Sequence, residues 1–115
     1  MSVVVFGCSS RKNEAIAYAK SHALGLLRSS QSLRSHPQGL LPEPEYPAEI
    51  RPLNPSMVAI TEHGLAIYIN SSPVHMTGIF IRHDPKFVPP APVPDSDEMG
   101  YEPVSTDIFW FSRPR

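Results

Sequence analysis

SMVAITEHGLAIYINSSPVHMTGIFIR, residues 56–82, is the stretch whose reading decides the fold. Met57–Thr61 and Leu65–Asn70 are runs of β-forming residues on either side of Glu62-His63-Gly64. That spacing predicts a hairpin closed by a three-residue loop, with Gly64 supplying a left-handed conformation. Ser71-Ser72-Pro73 predicts a second turn, and Val74–Arg82 a third strand. A three-stranded antiparallel meander over 57–82 is the expected product. DIFWF, residues 107–111, reads as a closing strand within 106–112.

Toward the N-terminus, Val3, Val4, Val5 and Phe6 are β-formers without polar alternation, which predicts a strand buried on both faces. Gly7 permits a tight turn, and Ser9 or Ser10 is placed to cap a helix. Ile16, Ala19, Ala23 and Leu26 or Leu27 recur at helical spacing. The helix is expected to end near Arg28, with Lys12, Lys20 and Arg28 pointing away from the core. Residues 1–36 therefore read as a strand–helix unit packed on one face of the meander. The fold class is α+β, in two layers.

Proline marks the remaining segments. The chain has 14 prolines in 115 residues, roughly twice what an average usage of about 5% would place there. Six fall in residues 37–55 and five in residues 85–94, whereas residues 1–36 have none. The ring fixes φ and removes a donor, so 37–56 and the acidic 83–105 are expected to be extended loops that wrap the domain or dock elsewhere. The length suits one small domain spanning 1–115.

Composition narrows the function classes. Residues 1–40 hold five basic residues and one acidic, residues 41–115 five basic and ten acidic, and the net charge is −1. Five scattered charges without interleaved aromatic rings fall short of a nucleic-acid stripe. Cys8 is the single cysteine, so no internal disulfide forms, and a reducing, cytoplasmic setting is expected. No run approaches the roughly 18 apolar residues of a membrane span. Residues 9–36 are amphipathic, serine-rich, basic and poor in acids, and in this they resemble organelle transit peptides.

The turn Gly7-Cys8-Ser9-Ser10-Arg11-Lys12 carries the first candidate chemistry. Unpaired amides and the dipole at a helix N-terminus favour an anion, with Ser9 and Ser10 as hydroxyl donors and Arg11 and Lys12 as cations. The segment resembles the first strand and helix of nucleotide-binding folds with a Gly-Ser-Arg turn, which implies a small phosphorylated ligand. It lacks the second glycine and Lys-Ser/Thr pair of a P-loop, and the three glycines of a dinucleotide turn. Cys8 is a candidate nucleophile, since the helix terminus and neighbouring cations lower a thiol pKa. Its setting resembles the start of a thioredoxin-like domain, but Cys8-Ser9-Ser10-Arg11 lacks that family's second cysteine. Nor is it the phosphatase loop, in which the arginine lies six residues after the cysteine, whereas Arg11 lies three after Cys8.

His75-Met76-Thr77 resembles the His-x-Thr element of the two-histidine phosphoesterases, which implies imidazole acid–base work beside a phosphate-binding hydroxyl. That family uses the element twice, and no second copy exists here. A polar, solvent-facing side of the meander also accounts for His75 and Thr77. No metal is expected, because no histidine, cysteine or carboxylate spacing matches a zinc or calcium site. No cofactor is expected either. The proline-rich arms are the remaining candidates. Pre-extended chain loses little entropy on docking, and Tyr46, Phe87 and Tyr101 give the arms side chains for a protein partner. The residues favour a non-enzymatic protein-binding or accessory protein acting through a sheet edge and these arms. A phosphate- or nucleotide-recognising protein, binding or hydrolytic, is the alternative.

Overall fold

The computed structural model describes residues 8–72, 75–93 and 98–114, with backbone alone at 8–11, 70–72, 75 and 114. The strand expected over residues 3–6 and its Gly7 turn lie outside the described residues. Two helices, α1 (Cys8–Ser21) and α2 (Ala23–Ser32), follow one another across His22, whose φ of −118° and ψ of 28° interrupt the helix for one residue. Hydrogen bonding continues across the break: the His22 amide donates to the Tyr18 carbonyl and the Leu26 amide to the His22 carbonyl, each at 2.9 Å. The helix already includes Cys8, so Ser9 and Ser10 sit inside its first turn rather than at a cap. It also runs past Arg28 to Ser32. Serine is a weak helix former, but here Ser29 and Ser30 are buried and bonded to other elements, and tertiary contact outweighs propensity.

The strands are β1 (Gly39–Leu40), β2 (Met57–Ile60), β3 (Gly64–Ser72), β4 (His75–Arg82), β5 (Gly100–Ser105) and β6 (Ile108–Pro114). They form one antiparallel sheet in the order β1-β2-β3-β4-β6-β5. The meander is β2-β3-β4, and the closing strand β6 joins it beside β4, with Trp110 opposite Ile79. Details differ from expectation: β3 runs on through Ser71 and Ser72, where a turn was expected, and pairs them with Met76 and His75. Gly64 is not left-handed; it is the first residue of β3, and a Cβ there would overlap the Ile81 carbonyl oxygen of β4. Thr61 closes the turn instead, its hydroxyl accepting from the amides of His63 (3.2 Å) and Gly64 (3.1 Å). Within the expected acidic loop 83–105, residues 100–105 form β5. Pro103 is compatible because β5 is an edge strand, and the pairing shifts just beyond it.

Alternation along the strands gives the sheet two apolar faces. Leu65, Ile67 and Ile69 of β3, Ile79 and Ile81 of β4, and Ile108 and Trp110 of β6 face one way. They meet Ala15, Ala19, Leu26 and Leu33 of the helical layer. Leu41, Ile50 and Leu53, from the proline-rich segment 37–56, complete this core, so that segment is built into the domain. Each such side chain, fully buried, contributes roughly 1.5–3 kcal/mol. The opposite face is aromatic where a polar face was expected: Ala66, Phe80 and Phe111 are buried there, with Tyr68, Tyr101 and Phe109 around them. Thr77, two residues from Ile79, belongs to the helix-side face.

Candidate functional site

The aromatic face is roofed by the segment that follows β4. Arg82, the last residue of β4, holds the segment at its start. Its Nε donates to Asp107 Oδ1 at 3.0 Å, and its second guanidinium nitrogen lies 2.9 Å from the same oxygen. A third nitrogen donates to the Phe87 carbonyl at 2.9 Å. Asp107 sits in the tight β5–β6 turn with φ of 62°, a conformation that aspartate tolerates better than most residues. Next, Asp84 organises a turn: its carboxylate accepts from the Lys86 amide at 2.9 Å, and its carbonyl from the Phe87 amide at 3.0 Å. Asp followed by Pro85 is the composition such a turn favours.

The turn lays the Phe87 ring flat on His63, with centroids 4.1 Å apart and planes within 6°. The same ring meets Phe80 edge-on at 5.8 Å and Tyr101 at 6.3 Å. The chain then runs beside β5: the Tyr101 amide donates to the Pro90 carbonyl at 2.8 Å. A Cβ on Gly100 would lie 2.5 Å from Pro92 Cα, so a residue without a side chain is needed at that crossing. Residues 84–93 are therefore a strap fixed to their own sheet at both ends. Where the strap's Phe87 meets the sheet lies a half-open cavity of about 190 Å³, floored by Ala66, Tyr68, Phe80 and Phe111 and flanked by Phe87, Met99 and Tyr101. Burial, and then the neighbouring Tyr68, push the Tyr101 phenol above its ordinary pKa.

A second cavity, about 250 Å³, lies between α1 and the 52–54 stretch and is lined by Glu14, Tyr18, Asn54 and Ile69, among others. The Tyr18 hydroxyl donates to the Glu49 carbonyl at 2.6 Å, and Ser29 donates to the Glu49 carboxylate at 3.2 Å, which ties both helices to segment 37–56. Burial and the charge of Glu49 raise the Tyr18 pKa. Where α2 meets the start of the strap, Ser30 Oγ and His83 Nε2 are hydrogen-bonded. Burial first, and then Arg34, hold His83 below the usual histidine range, against the opposing effect of Ser30. A serine bonded to a neutral imidazole has the parts of a nucleophile and its base. Ser30 is only 1% exposed, however, so no electrophile reaches it, and the pair acts as a clamp between helix and strap.

Of the residues singled out from sequence, Tyr46 lies on the helix side of the sheet, and Phe87 and Tyr101 lie on the aromatic side. Lys12 is turned onto the sheet, where it pairs with Glu102 at 3.3 Å and lies 5.9 Å from the Trp110 ring centroid. Cys8, Ser9, Ser10 and Arg11 occupy the first turn of α1, and their side chains, with that of His75, lie outside the described residues. Thr77 is half-buried on the helix-side face. Tyr46 packs against the helix-side core, with the Arg51 guanidinium 6.0 Å from its ring centroid. Phe87 and Tyr101 come together, but on their own sheet. Sequence reading missed His63, Tyr68, Phe80 and Phe111. The signal was present in the second alternating set, Ala66-Tyr68 and Phe109-Phe111.

Among the described residues, no three histidine, cysteine or acidic side chains gather closely enough to hold a metal ion. No helix among them is long and apolar enough to cross a membrane. No family model, curated protein or solved structure matches the chain.

Proposed function

We propose that this chain is a non-enzymatic binding protein that presents its proline-rich strap to a protein partner. One observation carries the reading. The strap is fixed at Phe87 and Pro90, yet its apolar side chains point outward: Val88 is 80% exposed and Val93 63%. Apolar side chains held open on a fixed backbone lose little conformational freedom when a partner covers them. Pro89 and Pro92 stand three residues apart, the period of an extended polyproline helix, and Lys86 lies in the turn just before them. Lys86 and Pro92 are exposed, and Pro89 is half-buried. Two prolines at that period with a basic residue at their entrance suit an aromatic-walled groove with an acidic rim, as in SH3- and WW-type domains. The sheet edges support the reading less. β1 has only two residues, and β5 uses the Tyr101 amide on the strap and has no donor at Pro103.

Calorimetric titration of the whole protein with a panel of purified SH3- and WW-type domains tests the reading. At least one domain is expected to bind with a Kd on the order of 1–100 μM, the range of weak peptide docking. The Pro89→Ala/Pro92→Ala variant should bind that domain at least about tenfold more weakly, and Lys86→Glu should reduce both affinity and salt dependence. A silent panel, or equal affinity for the double variant, overturns the proposal.

A further inference from the structure

We infer that the cavity beneath the strap is a binding site for a small, uncharged aromatic molecule that carries one hydrogen-bonding group, of the phenol or indole class. This inference is independent of the strap's outer surface, because it concerns the space on the other side. The volume, about 190 Å³, exceeds the roughly 150 Å³ of an apolar cavity that admits benzene. The walls are ring edges and faces: Tyr68 meets Phe111 edge-on at 5.1 Å, and Phe80 meets Tyr101 edge-on at 5.5 Å. A further planar ring extends that pattern of edge-to-face contacts.

The lining also selects against negative charge. Among the described residues, no carboxylate, lysine or arginine lines the cavity, and the one histidine that does, His63, lies flat on Phe87 with Nε2 directed to Glu62 at 3.3 Å. An anion entering this space would lose water and meet negative ring faces without gaining a partner among these residues, so a ligand without negative charge is favoured. Polar selection falls to the phenols. Thr61 also lines the cavity, but its hydroxyl is engaged in the β2–β3 turn, donating to the Gly64 carbonyl at 3.1 Å and accepting from two amides. Tyr68 and Tyr101 both line the cavity and are close enough for charge on one to disfavour charge on the other. A ligand hydroxyl or ring N–H placed against either phenol oxygen gains a hydrogen bond in an otherwise largely apolar space.

The test is titration of the whole protein with indole, phenol, toluene and benzoate, followed by methyl NMR of Ala66 and Met99. Indole and phenol should shift both methyls saturably, with half-saturation on the order of 1 mM or below, as suits ligands of so few atoms. Benzoate should not shift them. Ala66→Leu, which fills the floor, should abolish the shifts. Tyr101→Phe removes a single oxygen and leaves the ring packing in place. It should weaken phenol and indole severalfold while leaving toluene unchanged, and it decides the matter if the leucine variant does not fold. Absence of saturable shifts in the wild type, equal response to benzoate, or equal weakening of toluene and phenol in Tyr101→Phe overturns the inference.

Discussion

Replacing Phe87 by alanine removes the ring that fixes the strap. A fully buried phenylalanine costs about 3–5 kcal/mol when cut to alanine. Phe87 is half-buried, so the transfer part is smaller. The ring also makes one stacked contact with His63 and edge contacts with Phe80 and Tyr101. Such pairs are each worth about 0.5–1.5 kcal/mol beyond buried area in well-packed settings, and about half of that applies at a partly open site. The expected loss is about 2 kcal/mol, which corresponds to a fall of about 1 M in the urea midpoint for a chain of this size. Equilibrium urea unfolding followed by the fluorescence of Trp110, buried on the opposite face, measures it. The Tyr101 amide, bonded to Pro90 in the wild type, should exchange faster with solvent in the variant. Val88→Ser is the control: at 80% exposure it should change stability by less than about 0.5 kcal/mol. If Phe87→Ala is as mild as the control, the strap does not dock on the sheet.

Two further outcomes concern the junctions around this face. Folded His83 titrates below its ordinary 6.5, so the unfolded chain takes up a proton first. Its contribution to stability is complete above about pH 6.5, is lost as pH falls from there through the lower folded value, and is flat below. Urea midpoints between pH 7.5 and 5 should fall more steeply in the wild type than in His83→Gln, and parallel slopes would contradict the buried-neutral assignment. Gly64→Ala pushes a Cβ into the Ile81 carbonyl and should cost about 2 kcal/mol or more by the same unfolding assay. A neutral result would mean that β3 and β4 do not approach as closely as described.

Much of the helix-side architecture is legible from local pattern. The β-formers of 57–82, with expected breaks at 62–64 and 71–73, specify three strands whose ends the structure shifts by a residue or two, and short-range backbone bonds suffice to realise them. The aromatic face is not legible in the same way. Phe87 and Tyr101 stand out as large side chains in proline-rich surroundings, but what they touch depends on Phe80 and His63, and no local rule assigns that contact. Strand β5 is hidden for a related reason: Pro103 argues against a strand until the strand is known to lie at an edge. The helix overruns its expected end because Ser30 has a partner 53 residues away, in His83. Local signals placed most of the elements, and contacts distant in sequence decided that the second proline-rich loop lies along its own domain as a strap.

The strap's attachment to the aromatic face underlies both proposals, and proton NMR of the free protein tests it most directly. Cross-relaxation between the Phe87 ring and the rings of His63 and Tyr101, together with slow exchange of the Tyr101 amide, is the predicted result. Random-coil shifts across 84–93, with no Phe87–His63 contact, would contradict it.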